Sequence, residues 1–203
     1  MKPKIKICGL TRGEDIDCAL SLGADYIGFV LHEKSPRFVA IEKLKSLLAR
    51  VRNRAATVGV FVNPSAKFLH SAMECGLDIA QLHGDETDEF VRQSRFPVWK
   101  TFRLETENDV TRALHSPAAC CLADASCGPV YGGSGQVANW RLVARLSQQR
   151  PVVLAGGINA ANIRRAVAEV RPFAIDISSG VESAPGIKDG EKLRQLFSII
   201  KTP

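Results

Sequence analysis

Short β-branched apolar runs return eight times along this chain, and a stretch with helical character follows each one. The runs are IKICGL (5–10), YIGFVL (26–31), ATVGVFV (56–62), IAQLH (79–83), VWKTFRL (98–104), CCLADA (120–125), VVLAGG (152–157) and FAIDISSG (173–180). Runs this short and this apolar suit strands buried on both faces. Between them, residues 14–24 open with acids and 41–51 space their apolar side chains at helical intervals. Residues 64–76 begin with Pro-Ser and stop at Gly, and 85–95 carry an acidic first turn. Residues 107–116, 139–149, 159–170 and 189–201 continue the series. Alternating strands and helices call for a parallel sheet. Eight repeats close such a sheet into a (β/α)8 barrel, the TIM barrel of the α/β class, with no strand edge left open. A doubly wound open sheet is the alternative. No linker or low-complexity tract interrupts the pattern, so residues 1–203 read as a single domain. SCGPVYGGSGQVAN (126–139) is its one long irregular stretch.

Composition narrows what such a barrel does. Hydrophobic residues make up 45% and charged residues 24%, which excludes intrinsic disorder. No apolar run approaches the roughly 18 residues of a membrane span. The opening MKPKIKICGL lacks the features of a secretory signal, so a cytoplasmic protein with no membrane partner is expected. A net charge of +6 suits an anionic ligand, yet aromatics are only 6% and none interleave with the basic residues as a nucleic-acid surface requires. Arg50, Arg52 and Arg54 fall at an expected helix end, where cations complement the dipole. No nucleic-acid partner is expected. Cys8, Cys18, Cys75, Cys120, Cys121 and Cys127 form no CxxC pair and no zinc-finger spacing, so reduced, mostly buried thiols and no metal are expected. Nothing marks an exposed apolar face, which favours a monomer over a homodimer.

In such a barrel, function belongs at the C-terminal ends of the strands. Cys8 ends strand one, on the same side as Lys6; a nearby ammonium favours thiolate, the form that acts as base or nucleophile. Packing as a small buried residue is the other reading of Cys8. Asp124 ends strand six after a mostly apolar run. Burial would let it hold a proton near neutrality, and a helix cap or ion pair is its alternative. Gly156 and Gly157 after strand seven, with Ser178, Ser179 and Gly180 after strand eight, offer backbone donors where barrels often bind phosphate. Each glycine pair alone reads equally as a tight turn. Arg37, in HEKSPRFV after strand two, suits bidentate capture of a carboxylate or phosphate, or is a solvated charge. Gln81 and His83 share one face of strand four as ligand contacts or as structural polar groups. Asp176 on strand eight neighbours Lys6 in a closed barrel, which implies an ion pair inside it.

Taken in order, KICGLT, GFV with KSPRFV, VGVFVNPS, QLHGDE, the CLADA aspartate, YGGSG, LAGGIN and DISSGVESAPGIKD resemble the phosphoribosylanthranilate isomerase family from about Lys4 to Lys188. The resemblance implies an Amadori rearrangement in tryptophan biosynthesis, on a phosphorylated small-molecule substrate. It implies Asp124 as general acid at the furanose ring oxygen and Cys8, as thiolate, as general base at C2′. It places Arg37 on the anthranilate carboxylate and Gly156, Gly157, Ser179 and Gly180 on the phosphate. Gln81, His83 and Asp176 match further substrate-site positions. No metal or organic cofactor is implied, because the imine intermediate is its own electron sink. The family pattern GGTG followed by Phe-Asp-Trp reads GGSGQVANW here. Asn139 would still cap the next helix, and Ala138 replaces an aromatic. The competing readings are another phosphosugar barrel, such as an epimerase or a synthase using Lys100, and a non-catalytic phosphate binder.

Overall fold

A computed structural model describes residues 2–124 and 139–201. Eight parallel strands close in sequence order: β1 (Lys4–Ile7), β2 (Tyr26–Val30), β3 (Ala56–Phe61), β4 (Ile79–Leu82), β5 (Val98–Phe102), β6 (Cys120–Ala123), β7 (Val152–Leu154) and β8 (Ala174–Ile177), with β8 paired back to β1. The open-sheet alternative is thereby excluded. Each strand stops one to several residues before its apolar run does. The remaining residues leave the ladder to begin the loops, and these residues form the rim.

The helices are α1 (Gly13–Ser21), α2 (Ile41–Val51), α3 (Ala66–Met73), α4 (Asp88–Arg92), α5 (Glu107–His115), α6 (Trp140–Ser147), α7 (Ile163–Val170) and α8 (Gly190–Lys201). Local chemistry starts several of them. Ser65 and Thr87 accept from the backbone amides of Phe68 and Phe90, and Thr106 with Asp109 forms a reciprocal capping box. Asn139 does not cap α6 through its side chain, contrary to expectation. Its ψ of 84° is not that of an extended cap residue, and its carbonyl accepts from Leu142 and Val143. Arg50 and Arg54 do more than end α2, because both pair with Asp17 on α1. No helix among the described residues is long and apolar enough to cross a membrane.

Side-chain alternation divides the buried residues between two cores. Outward-facing strand residues such as Ile7, Ile27, Phe61, Leu82 and Ile175 pack under the helices. Inward-facing Tyr26, Val58, Trp99, Leu122, Val153 and Ala174 fill the barrel floor, with Tyr26 and Trp99 edge to face at 5.0 Å. Above that apolar plug lies a polar layer: Lys6, fully buried, Gln81 and Asp176. It separates the floor from the rim.

The eight-repeat pattern leaves out one element. After β8, a 3-10 turn (Ser179–Val181) leads into an antiparallel hairpin, β9 (Glu182–Ala184) and β10 (Ile187–Lys188). It turns on Pro185–Gly186 and pairs Lys188 with Glu182.

Candidate active site

Every expected site residue lines one cavity at the C-terminal mouth of the barrel. Cys8, Arg37, Gln81, His83, Asp124, Gly156, Gly157, Asp176, Ser179 and Gly180 share its wall with Val30, Val60 and Ala155. Seven different βα connections or strand ends contribute to it. A wider depression continues outward over β5 and α5 and meets this cavity at His83 and Asp124.

Cys8 follows β1 and is buried, its amide held by the carbonyl of Ile177 at 2.9 Å. Gly28 on β2 makes room for it. A Cβ built there would stand 2.9 Å from Cys8 Sγ and 3.1 Å from Lys6 Cε, closer than packed carbons tolerate. Lys6 Nζ donates to Asp176 Oδ2 at 2.9 Å and to Gln81 Oε1 at 2.9 Å, and it also contacts the Cys8 thiol. The strand register explains the ion pair, since Lys6 lies directly opposite Asp176. Burial disfavours charge on Lys6, but Asp176 and Cys8 outweigh it and hold the ammonium above its ordinary pKa. The thiolate expected at Cys8 from Lys6 alone needs correcting. Burial, followed by the Asp176 carboxylate, pushes the thiol above its ordinary value. The opposing pull of Lys6 and Lys188 does not cancel them.

Asp124 stands just past β6, its amide donating to Phe102 O at 3.2 Å, and is 8% exposed. Its Oδ2 lies 3.2 Å from His83 Nε2. On the other side of that ring, Nδ1 lies 3.2 Å from Gln81 Nε2 and 3.1 Å from Thr101 Oγ1. The side chains of Cys8, Lys6, Gln81, His83 and Asp124 thus form one continuous chain of contacts across the mouth.

Arg37 is not a solvated charge. Its Nε and Nη2 grip Glu182 at 2.9 and 2.6 Å, which occupies one edge of the guanidinium and leaves the other for a ligand. Glu182 also accepts from Lys188 Nζ at 2.7 Å and from the Gly186 amide at 3.2 Å. Glu182 is buried, which disfavours its charge, but Arg37 and Lys188 hold its carboxyl below the usual range. Sequence reasoning missed this pair. The Pro-Gly turn signals a hairpin, but a regular one would set Ser183 opposite Lys188; an irregularity between Ile187 and Lys188 shifts the register and brings Lys188 opposite Glu182.

At the far wall, Gly156 and Gly157 adopt φ of 82° and 65°, a left-handed conformation open to glycine at little cost. A Cβ on Gly180 would collide with the carbonyl of Ile158, so the β7 and β8 turns approach as closely as backbone allows. Among the described residues no acceptor meets the amides of Gly156, Gly157, Ser179 or Gly180. Unsatisfied amides converging at turns make an anion-binding nest.

Other groups are structural. Lys100, mid-strand on β5, is tied to Glu86 and to Gly84 O, both at 2.7 Å, and so does not stand free as a catalytic amine at a strand end. Burial raises the Cys120 and Cys121 thiols to about 12 and about 11, which makes both inert. Cys8, Cys18, Cys75, Cys120 and Cys121 are free thiols; Cys127, Ser134, Ala138 and most of the 126–139 stretch lie outside the described residues.

Comparison with known proteins agrees with this geometry. The family model described as N-(5'phosphoribosyl)anthranilate (PRA) isomerase matches residues 5–199. The N-(5'-phosphoribosyl)anthranilate isomerase of Geobacter metallireducens is 44% identical over 195 residues, covering 96% of both chains. The crystal structure of phosphoribosyl anthranilate isomerase from Thermotoga maritima superposes with a TM-score of 0.91 at 34% identity, over 99% of this chain and 100% of that one. A phosphoribosyl anthranilate isomerase in complex with reduced 1-(O-carboxyphenylamino)-1-deoxyribulose 5-phosphate superposes with a TM-score of 0.88 at 33% identity, over 99% of this chain and 100% of that one. With the fold and nearly the whole length in common, this chain belongs to the N-(5′-phosphoribosyl)anthranilate isomerase family.

Proposed function

We propose a division of labour within this cavity for the reaction the chain carries out, the isomerisation of N-(5′-phosphoribosyl)anthranilate in tryptophan biosynthesis. The observation that carries it is the convergence of a buried thiol, a buried carboxyl, an oriented guanidinium and a nest of backbone amides on one cavity. The amides of Gly156, Gly157, Ser179 and Gly180 take the phosphate. The ligand edge of Arg37 takes the anthranilate carboxylate. The sugar is thereby stretched between them, under Cys8 and Asp124. Pinning both ends converts remote binding energy into alignment at the reacting carbons.

Asp124 gives its proton to the furanose ring oxygen as the bond from that oxygen to the anomeric carbon breaks. The nitrogen lone pair forms the Schiff base. Deprotonated Cys8 removes the C2′ proton, and the electron pair moves into the imine to give the enolamine. This tautomerises to the ketone, 1-(2-carboxyphenylamino)-1-deoxyribulose 5-phosphate. The residues do this chemistry themselves, because the protonated imine accepts the electrons. Asp176 keeps Lys6 charged beside the thiol, and its Oδ1, buried and without a hydrogen-bond partner among the described residues, is a further acceptor for the sugar.

Cys8→Ala and Asp124→Asn should each lower kcat by about 100-fold or more, the usual contribution of a positioned acid or base. Cys8→Ser should do as badly as the alanine, since a hydroxyl is too weak an acid to supply the base. A variant that keeps near-normal kcat removes that residue from its role. We further place the enzyme in the cytoplasm and take it to act as a monomer.

A further inference from the structure

We propose that His83 is a positioning residue for Asp124, held in a single tautomer by Gln81, whose amide is in turn oriented by Lys6. Lys6 sets the direction, because an ammonium has only donors. Its 2.9 Å contact with Gln81 must therefore be to the amide oxygen. That choice turns the amide nitrogen of Gln81 toward His83 Nδ1, 3.2 Å away. An amide N–H facing Nδ1 requires a lone pair there, and the Thr101 hydroxyl at 3.1 Å can donate to the same lone pair. The imidazole proton then resides on Nε2, the ring nitrogen that lies 3.2 Å from Asp124 Oδ2. Orientation is thus handed from strand to strand: β1 sets the amide on β4, the amide sets the ring that follows β4, and the ring meets the carboxyl that follows β6.

The consequence for catalysis is directional. A carboxylic acid that receives an N–H on Oδ2 carries its own proton on Oδ1. When that proton leaves for the ring oxygen, the new carboxylate already has a donor in place, so no group must reorganise during the transfer. The opposite tautomer would present a lone pair to Asp124 and draw the acid's proton toward His83 instead of substrate. Lys6 serves both halves of the reaction, since the ammonium that orients Gln81 also contacts the Cys8 thiol. Gln81 is 1% exposed with both ends of its amide engaged, which makes it a strut between the two centres.

This inference rests on Asp124 as the acid, and its test separates the two. Histidine ring nitrogens are observed by 15N NMR in the free, uniformly labelled protein, and His83→Asn identifies the His83 signals. The expected result is a ring protonated at Nε2 and bare at Nδ1. Gln81→Glu, which places an acceptor against Nδ1, should move a proton onto that nitrogen. In turnover, His83→Asn and Gln81→Glu should each lower kcat at least about tenfold, part of the full acid contribution, with KM within about twofold. A wild-type ring protonated at Nδ1 overturns the proposal, as does a His83→Asn enzyme with normal kcat. A loss confined to KM would also overturn it, by making His83 a binding group. Should Asp124→Asn remain active while the tautomer is as expected, the acid assignment fails and the orientation of His83 stands.

Discussion

A thiol that serves as a base must first lose its proton, and the surroundings of Cys8 resist that loss. Burial and the Asp176 carboxylate together outweigh Lys6 and Lys188. The result is a stronger base that is less often available. Only the unprotonated form abstracts the C2′ proton, so activity falls as pH drops through the Cys8 pKa. We expect kcat/KM to rise with pH through an inflection above the ordinary thiol value of about 8.5. Asp176→Asn removes the negative charge and leaves the Lys6 ammonium acting on the thiol unopposed, so the inflection should move to lower pH. An inflection that stays in place or rises would show that Asp176 does not govern Cys8. Cys8 and Asp124 were legible as strand-end residues because in this architecture position implies exposure to ligand. The protonation of Cys8 was not legible. It depends on a carboxylate and a lysine contributed from the other end of the chain, and on how deeply the closed barrel buries all of them.

At the scale of elements, the strands were readable because a parallel barrel strand is covered on both faces and shows as an unbroken apolar run. Their ends were less so. The runs continue into rim residues that are apolar or small but lie past the strand, as in VVLAGG, where β7 ends at Leu154. The β9–β10 hairpin was missed because strands of two or three residues are too short to show alternation. Its function is to carry Glu182 under Arg37 and to back Glu182 with Lys188. Glu182→Gln should therefore weaken the grip on the substrate carboxylate. Losing charge-assisted bonds of about 1.5–3 kcal/mol corresponds to a KM about 10- to 100-fold higher at about 1.4 kcal/mol per tenfold, with kcat changed much less. Steady-state kinetics decide it: a fall in kcat at constant KM would mean that the hairpin acts on the chemistry and not on binding.

At the scale of the molecule, an apolar plug closes the barrel floor, a polar layer spans it, and the chemistry sits above both. The large hydrophobic side chains exposed among the described residues are Phe173 and Ile187, at 39% and 37%. Phe173 precedes β8 and Ile187 lies on the hairpin beyond it, so the two sit toward opposite ends of the barrel. Lys4 Nζ also lies 5.5 Å from the Phe173 ring centre. With no apolar face of interface size among the described residues, sedimentation equilibrium at micromolar protein should give one species near the chain mass of 22.0 kDa, and a species of twice that mass would contradict the monomer. The family resemblance was legible before the fold because its motifs fall in order on successive strand ends. The run of side chains from Cys8 through Lys6, Gln81 and His83 to Asp124 was not, because it crosses the barrel between strands distant in sequence. We take this cavity to turn over N-(5′-phosphoribosyl)anthranilate by its own side chains. The direct measurement is the fluorescence of the anthranilate group when that substrate is supplied to the purified protein with no added metal or cofactor. The fluorescence should decay with the wild-type chain and hold nearly constant with Cys8→Ala; a wild-type signal that stays constant would rule this turnover out.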